Sequence, residues 1–383
     1  MGHIMAKILV ISRWYPSEEK PIHGIFVKDF VKAKSLYNDV TVLYGNLTSE
    51  GNPRFPYEIQ DQVEDGIRTI RFIYKRRPLR LHRLINLIGF IDCLSKISKE
   101  GLKPDIIHFH EYLASIPAFI YAKIKHIPLV ITEHYSGFIR KNLTFFERFL
   151  AKIIMNRADI VLPVSYFLKS HIENYATKCR FEVVPNIVDV SIFKITAHVI
   201  NKNDEIKQML TVASLFPNKG ISYLLEALSS LKKVRTDFHL DIVGDGEIKG
   251  ELEKQKSELG LDKFVTFHGR KAKSEVAEYM SKCDFYVLPS LFETFGCVII
   301  EAMACGKPIV ATNCGGPNEI ITSESGIIVE SANPKALMDG ISYMMDNYCE
   351  YSAENISRCA IENYGLEAVG QKLNQIYRKV INP

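Results

Sequence analysis

Two glutamates, Glu293 and Glu301, are separated by seven residues in the segment 289–316, whose sequence is PSLFETFGCVIIEAMACGKPIVATNCGG. An apolar run at 285–288 precedes them, and the apolar segment that carries Glu301 ends at Gly306. The pattern predicts a strand, a loop with Glu293, a buried helix with Glu301 about a turn and a half from its start, and another strand. Parallel sheets place their ligands at such strand ends.

The two carboxylates can face one elongated ligand, while the start of the predicted helix offers backbone N–H groups to an anion. The ligand implied is anionic in its middle and rich in hydroxyl groups at both ends. A nucleotide sugar fits that description.

The elements that must position these residues alternate between strand and helix in both halves of the chain. This predicts an α/β fold of two doubly wound, Rossmann-like domains facing a deep cleft between them. We place an irregular linker at 190–208. The predicted strands are 7–12, 39–44, 66–74, 105–110, 130–133, 158–165, 181–189, 209–213, 238–243, 265–267, 285–288, 308–312 and 326–329, and helices are expected at 25–35, 221–233, 333–346 and 354–380.

The composition limits the classes of protein to which this chain can belong. The chain has 383 residues, 47% hydrophobic and 24% charged, which is typical of a globular protein with two or three domains. No apolar run approaches the roughly 18 residues that cross a membrane. The eight cysteines show no metal-ligand spacing, and we interpret them as small core residues in a reducing cytosol. The expected location is therefore the cytoplasm.

Charge is unevenly distributed. Residues 1–190 carry 27 basic and 19 acidic side chains, whereas residues 191–383 carry 21 and 25. Between 66 and 91 there is no acidic residue, and from Leu79 onward the pattern predicts a basic amphipathic helix. One interpretation is peripheral docking on an anionic membrane surface, and the other is the solvated face of a helix packed on a sheet. The candidate membrane residues are Lys75, Arg76, Arg77, Arg80 and Arg83. No nucleic-acid recognition motif accompanies the charge.

The segment from Glu293-Thr-Phe-Gly to Glu301 resembles the signature of retaining glycosyltransferases of family 4, which have the two-domain GT-B fold. The resemblance extends over nearly the whole chain. It implies an N-terminal acceptor domain at 1–190, a C-terminal donor domain at 191–363, and a last helix at about 364–383 that packs back on the first domain. The implied reaction moves a hexose from a UDP- or GDP-sugar to an acceptor hydroxyl, on a glycan or lipid-linked glycan of the cell surface.

The resemblance also implies roles for individual residues. Lys219 and the N–H groups of 294–298 would neutralise the donor diphosphate, Glu301 would bind the ribose, and Glu293 would hold the sugar hydroxyls. The catalytic positions are His134, Lys219 and Glu293. The donor-binding positions are Gly24, Ser214, Lys219, Arg270, Glu293, Thr294, Phe295, Gly296, Cys297, Val298 and Glu301, and the acceptor-side positions are His23 and His110. The resemblance implies neither a metal nor a cofactor.

Two positions among the predicted site residues depart from the family pattern. His23 stands where the family has the first of two glycines, and Ser214 stands where it has an arginine that contacts the diphosphate. A serine hydroxyl, Arg270 or Lys271 could replace that arginine. The alternatives to a transferase are a non-catalytic nucleotide-sugar-binding protein, and a nucleotide-sugar epimerase or sugar-phosphate synthase of the same fold.

Overall fold

The computed structural model describes residues 5–20, 23–48, 56–75, 78–196 and 206–382. These form two compact units, which we call the N-terminal unit (1–186 with 366–383) and the C-terminal unit (187–365). Each unit is built around one sheet with helices, so the predicted fold class, two Rossmann-like α/β domains, is confirmed.

The N-terminal unit has a seven-stranded sheet in the order β3-β4-β2-β1-β5-β6-β7, parallel except for β3. The central strands are buried along almost their whole length, as expected for a parallel sheet covered on both faces. Its elements are β1 Lys7–Ser12, α1 Ile25–Ser35, β2 Asp39–Thr48, β3 Glu58–Glu64, β4 Ile67–Lys75, α2 Leu79–Lys99, β5 Ile106–His110, α3 Ile116–Ile124, β6 Leu129–Glu133, α4 Gly137–Arg140, α5 Phe145–Met155, β7 Ile160–Pro163 and α6 Tyr166–Ile172.

The C-terminal unit has a six-stranded parallel sheet in the order β10-β9-β8-β11-β12-β13. Counted from β8, this is the 3-2-1-4-5-6 order of the Rossmann fold, so the order reverses between β8 and β11. The elements are β8 Lys207–Val212, α7 Ile221–Leu231, β9 Phe238–Val243, α8 Lys249–Glu258, β10 Val265–Phe267, α9 Lys273–Lys282, β11 Phe285–Leu288, α10 Cys297–Ala304, β12 Ile309–Thr312, β13 Gly326–Val329, α11 Pro334–Asn347 and α12 Ala353–Tyr364, with 3₁₀ turns at Pro217–Lys219, Gly316–Glu319 and Tyr348–Glu350.

The last helix, α13 (Leu366–Ile381), belongs to the N-terminal unit, where it packs against α1. The prediction of one helix over 354–380 is wrong, because Gly365 is extended and separates α12 from α13. There the chain forms a bridge with Val188, whose N–H donates to the Tyr364 carbonyl at 2.9 Å. The break therefore depends on a pairing partner distant in sequence.

Other expectations also fail locally. The segment 181–189 makes only isolated bridges, Phe181 with Val161 and Val188 with Gly365, because Pro163 and Pro185 lack the N–H donors that a continuous ladder needs. Conversely, strand β3 was not predicted, since its sequence EIQDQVE lacks an apolar run. Among the cysteines, Cys349 is exposed, so the core interpretation is wrong for that residue.

None of the helices in the described part of the chain is both long and apolar enough to cross a membrane.

Candidate active site

Glu293 occupies the loop after β11 in the C-terminal unit. Its Oε1 accepts from the Lys219 ammonium at 2.6 Å and from the Ser290 hydroxyl at 2.8 Å. Its backbone N–H donates to the Cys314 carbonyl at 2.7 Å, which ties this loop to the one after β12. Two donors therefore hold the carboxylate through Oε1, a backbone bond holds the loop, and the side chain is largely buried.

Lys219 ends the 3₁₀ turn after β8, directly before Gly220. Gly220 has φ of 67°, and a Cβ at this position would lie 1.9 Å from the Pro289 carbonyl oxygen. The N–H of Leu291 donates to the Asn218 carbonyl at 2.8 Å. The loops after β8 and β11 are thus locked together, at the point where the strand order reverses and where Rossmann folds bind their ligands.

The start of α10 follows Glu293 in the same loop. Gly296 precedes the helix with φ of 92°, and a Cβ at Gly316 would lie 2.5 Å from the Thr294 carbonyl oxygen. The first N–H groups of a helix have no partner within the helix, so this end attracts an anion. Phe295 is buried against Tyr364, so its side chain anchors the loop and only its backbone can serve a ligand.

The remaining predicted donor residues lie at the carboxyl ends of neighbouring strands. Glu301, Thr294, Cys297 and Val298 are half-buried on or before α10. Ser214 is exposed after β8, and Arg270 is exposed after β10, next to Gly269. Their two loops meet at the loop after β9: the N–H of Leu215 donates to the Asp245 carbonyl at 3.0 Å, and the N–H of Gly244 to the Gly269 carbonyl at 2.9 Å. Lys271 pairs with Glu275 at 3.2 Å, which favours Arg270 over Lys271 as the replacement cation.

In the N-terminal unit, three histidines form a stack at the ends of β5 and β6. The rings of His108 and His110 are 5.0 Å apart and those of His110 and His134 are 5.4 Å apart, nearly parallel in both pairs. His110 Nδ1 lies 3.1 Å from His134 Nε2. Burial lowers the pKa of all three, that of His134 to about 3. The stack is therefore neutral at physiological pH.

His110 also has a partner that the sequence did not reveal. The Nζ of Lys34, on α1, lies 2.6 Å from His110 Nε2, and the lysine is 0% exposed. If Lys34 donates to Nε2, the proton of His110 lies on Nδ1 and points to His134 Nε2, which places the proton of His134 on Nδ1. The third histidine has an architectural role, because His108 Nδ1 lies 2.5 Å from the Tyr377 hydroxyl on α13.

Two buried acids lie at the ends of the same strands. The carboxylate of Glu133 accepts from the N–H groups of Tyr112, His134 and Tyr135 at 2.8–3.1 Å. Glu111 is also buried, with φ of 71°, and its Oε1 has no hydrogen-bond partner among the described residues. Burial and the nearby Glu133 raise the pKa of Glu111 well above its ordinary value, against the opposing effect of Arg13.

The loop after β1 is also fixed by a glycine. Gly24 has φ of 74°, and a Cβ there would lie 2.5 Å from the backbone of Trp14. The neighbouring His23 is exposed and its ring meets that of Trp14 edge-on at 6.0 Å. Glycine is therefore required at 24, whereas position 23 tolerates a side chain.

Comparison with known proteins agrees with this arrangement. The family model described as "Glycosyltransferase Family 4" matches residues 33–192, and "Glycosyl transferases group 1" matches residues 193–363. An uncharacterized glycosyltransferase of Methanocaldococcus jannaschii is 31% identical over 254 residues, which cover 66% of this chain and 68% of that protein. The chain belongs to the group 1 glycosyltransferases. It is a GT-B glycosyltransferase of family 4 type.

Other similar proteins of this glycosyltransferase family have named activities. The D-inositol 3-phosphate glycosyltransferase of Paenarthrobacter aurescens is 25% identical, covering 80% of this chain and 79% of that one. Among solved structures, sucrose-phosphate synthase from Thermosynechococcus elongatus has a TM-score of 0.78 at 20% identity, with 99% of each chain covered. HepE of Anabaena, solved with UDP-glucose, has a TM-score of 0.73 at 20% identity, covering 98% of this chain and 100% of that one. These two structures show the shared fold.

The basic run of this glycosyltransferase is only partly described. Arg76 and Arg77 lie outside the described residues, Lys75 is half-buried at the end of β4, and Arg83 is exposed on α2. Arg80 lies on α2, whose helical structure was predicted. The expected amphipathic pattern is wrong, because exposed apolar side chains such as Leu84 and Ile91 lie opposite the buried ones.

Replacing Glu111 with glutamine is expected to stabilise this glycosyltransferase at pH 8. A folded-state pKa above the unfolded value of about 4.3 means that the folded chain binds the extra proton. Stability contributed by Glu111 is therefore present at low pH and is lost as the pH rises toward its folded pKa. Denaturant unfolding of the wild type and of E111Q from pH 5 to pH 8 should show the variant gaining about 1–3 kcal/mol relative to the wild type. A constant difference across this range would show that Glu111 is already ionised in the fold.

Proposed function

We propose that this chain transfers a hexose from a UDP- or GDP-sugar to an acceptor hydroxyl, on a glycan or a lipid-linked glycan, with retention of the anomeric configuration. The observation that carries the proposal is the Lys219–Glu293 pair at the strand-order reversal of the C-terminal unit. The UDP-glucose complex of HepE supports a uridine donor. We place this reaction in the cytoplasm, where nucleotide sugars are available.

The chemistry requires stabilisation of a departing diphosphate while positive charge develops at the anomeric carbon. A fixed ammonium and a helix N-terminus lower that barrier because they are oriented before the reaction begins. Lys219 and the N–H groups at the start of α10 supply these charges, and on this mechanism they act without a metal ion. Glu301, half-buried on α10, would bind the ribose hydroxyls.

Glu293 would hold the sugar rather than attack it. Its Oε1 accepts hydrogen bonds from Lys219 and Ser290. A carboxylate held in this way is better suited to accept hydrogen bonds from the sugar hydroxyls, and so to orient the sugar, than to act as a nucleophile. In the proposed step the acceptor oxygen bonds to the anomeric carbon, the bond from that carbon to the diphosphate oxygen breaks, and the acceptor proton moves to the departing phosphate. To His134 we assign the sugar contact that the family resemblance implies.

The test is donor binding followed by turnover. A bound donor raises thermal stability, by about 2.7 kcal/mol at a hundredfold excess over its dissociation constant. We expect one of UDP-, GDP- or ADP-sugars to raise the melting temperature of the wild type. K219A should weaken that binding about ten- to a hundredfold, because a charge-assisted bond contributes about 1.5–3 kcal/mol. E293A should lose transfer while the protein stays folded.

The matched control is K254A, since Lys254 forms an exposed pair with Glu258 on α8 and such pairs contribute little. Equal donor affinity in K219A and K254A would contradict the assigned role of Lys219. Tight donor binding without hydrolysis or transfer to any acceptor would instead support a non-catalytic binding protein, and transfer only to a free sugar phosphate would support a synthase.

A further inference from the structure

A cavity of about 980 Å³ opens at the carboxyl edge of the sheet in the N-terminal unit. Its walls come from the loops after β1 and β5, from strands β2 and β4, and from helices α2, α3 and α5, all within that unit. The volume lies at the upper end of the range of small-molecule sites.

The wall carries cationic side chains. Among the described residues, Arg13, Lys20 and Arg83 line the cavity, and Glu147 is the one carboxylate that does so. That carboxylate is occupied at the start of α5, where it accepts from the N–H and the hydroxyl of Thr144, each at 2.8 Å. The cavity therefore favours an anion, and phosphate is an anion that both arginine and lysine bind well.

The wall also carries apolar side chains that reach solvent. Leu84, Leu87, Ile116 and Phe146 line the cavity, and their exposed fractions are 48, 40, 39 and 59%. Of the 22 large hydrophobic side chains that are exposed in the described ranges, 11 lie on α2, α3 and α5. Such a concentration marks a surface that receives an apolar partner.

Exposed apolar side chains continue along helix α2 beyond the cavity. One side carries buried residues such as Ile85 and Leu94, while Leu81, Leu84, Ile88 and Ile91 recur at helical spacing on the exposed side. Apolar side chains on two sides of a helix are expected to be covered on both, and the sheet covers only one of them.

We propose that this cavity binds an amphiphilic acceptor, with a phosphate on Arg13, Lys20 and Arg83 and a hydrocarbon chain across Leu84, Leu87, Ile116 and Phe146. The site would thus select a lipid-linked, phosphorylated acceptor over a free glycan. Its role in transfer rests on the proposed function, whereas the binding of such a molecule does not.

The chain contains a single tryptophan, and Trp14 lines the cavity. Its fluorescence therefore reports occupancy directly. Titration with dodecyl phosphate below its micelle concentration should give a saturable change. Dodecyl maltoside, which lacks the anion, and inorganic phosphate, which lacks the chain, should each bind at least about tenfold more weakly, because each lacks one of the two contacts. Equal binding of inorganic phosphate and dodecyl phosphate would overturn the proposal in favour of a small-anion site.

Matched variants distinguish binding inside the cavity from nonspecific binding to the exposed apolar surface around it. L87S and R83Q alter lining residues, while I91S and K99Q alter exposed residues of the same helix that do not line the cavity. Binding of dodecyl phosphate should weaken about tenfold in R83Q and several-fold in L87S, and should not change in the two controls. Equal losses in L87S and I91S would indicate attachment to a lipid surface and would overturn the cavity assignment. Because all four side chains are exposed, the variants should fold, and their melting temperatures provide the check.

Failure of this proposal can be distinguished from failure of the proposed function. Dodecyl phosphate binding needs neither donor nor turnover, and donor binding is measured separately through Lys219. If the donor binds but Trp14 does not respond to dodecyl phosphate, only the acceptor site is rejected. If Trp14 responds but no donor binds, the transferase proposal is rejected and the assignment of the cavity stands.

Discussion

Replacing Gly220 with alanine is expected to destabilise the C-terminal unit by roughly 4 kcal/mol and to abolish donor binding. Two costs combine at this position. The backbone has φ of 67°, which costs a residue with a Cβ about 1–2 kcal/mol. The added carbon would also lie 1.9 Å from the Pro289 carbonyl oxygen, and overpacking against backbone costs about 1–3 kcal/mol. Relief requires the loop after β11 to move, which separates Glu293 from Lys219.

Gly269 supplies the control for this prediction. Its φ is 68°, almost the same as that of Gly220, but a Cβ there would meet no atom within 4 Å. G269A therefore isolates the backbone cost. Denaturant unfolding of both variants should show G220A less stable by about 2–3 kcal/mol, with the donor-induced thermal shift lost only in G220A. Equal stabilities would mean that the two loops separate freely, and the rigid pairing of Lys219 with Glu293 would then be wrong.

The alternation of elements and the strand-end position of Glu293, Lys219 and His134 could be predicted, because buried parallel strands are short apolar runs and ligands gather where such strands end. Neither prediction requires knowledge of contacts between residues distant in sequence. Glu293 and Lys219 were each placed at a strand end from local sequence, and the order of β8 and β11 in the sheet brings them together.

The residues that were missed depend on distant contacts. Lys34 looks like an ordinary surface lysine in the segment KAKS, and only the approach of β5 across α1 buries it against His110. Glu111 follows His110 with no local sign of burial. The break at Gly365 requires pairing with Val188. The exposed apolar side of α2 was missed because periodicity alone does not say which side faces the sheet.

Replacing the buried Lys34 with methionine is expected to change how stability depends on pH. Burial lowers the pKa of Lys34 well below its ordinary value, so the folded chain loses this proton at a pH where the unfolded chain still holds it. Between the two pKa values, the unfolded state binds one more proton, and the stability of the wild type rises with pH by about 1.4 kcal/mol per unit. Below the folded pKa, this slope disappears.

K34M lacks the titrating amine, so from pH 7.5 to pH 9.5 the stability of the wild type should rise relative to that of K34M, by about 1.4 kcal/mol for each pH unit that lies above the folded pKa of Lys34. The groups that face Lys34 do not add to this difference. Burial holds His110 neutral in this range and Phe30 does not titrate, while groups elsewhere cancel between the two proteins. Unfolding by denaturant at four pH values measures the slope.

The control is K28M, on the same helix, because the Lys28 ammonium reaches solvent and pairs with Asp65 at 2.8 Å. Its stability should run parallel to that of the wild type. Parallel curves for K34M as well would show that Lys34 keeps its proton in the fold. A difference confined to K34M would establish a neutral amine at the end of the histidine stack. The Lys34–His110–His134 chain would then fix the tautomer of His134 by hydrogen bonds alone, without placing a charge in the histidine stack.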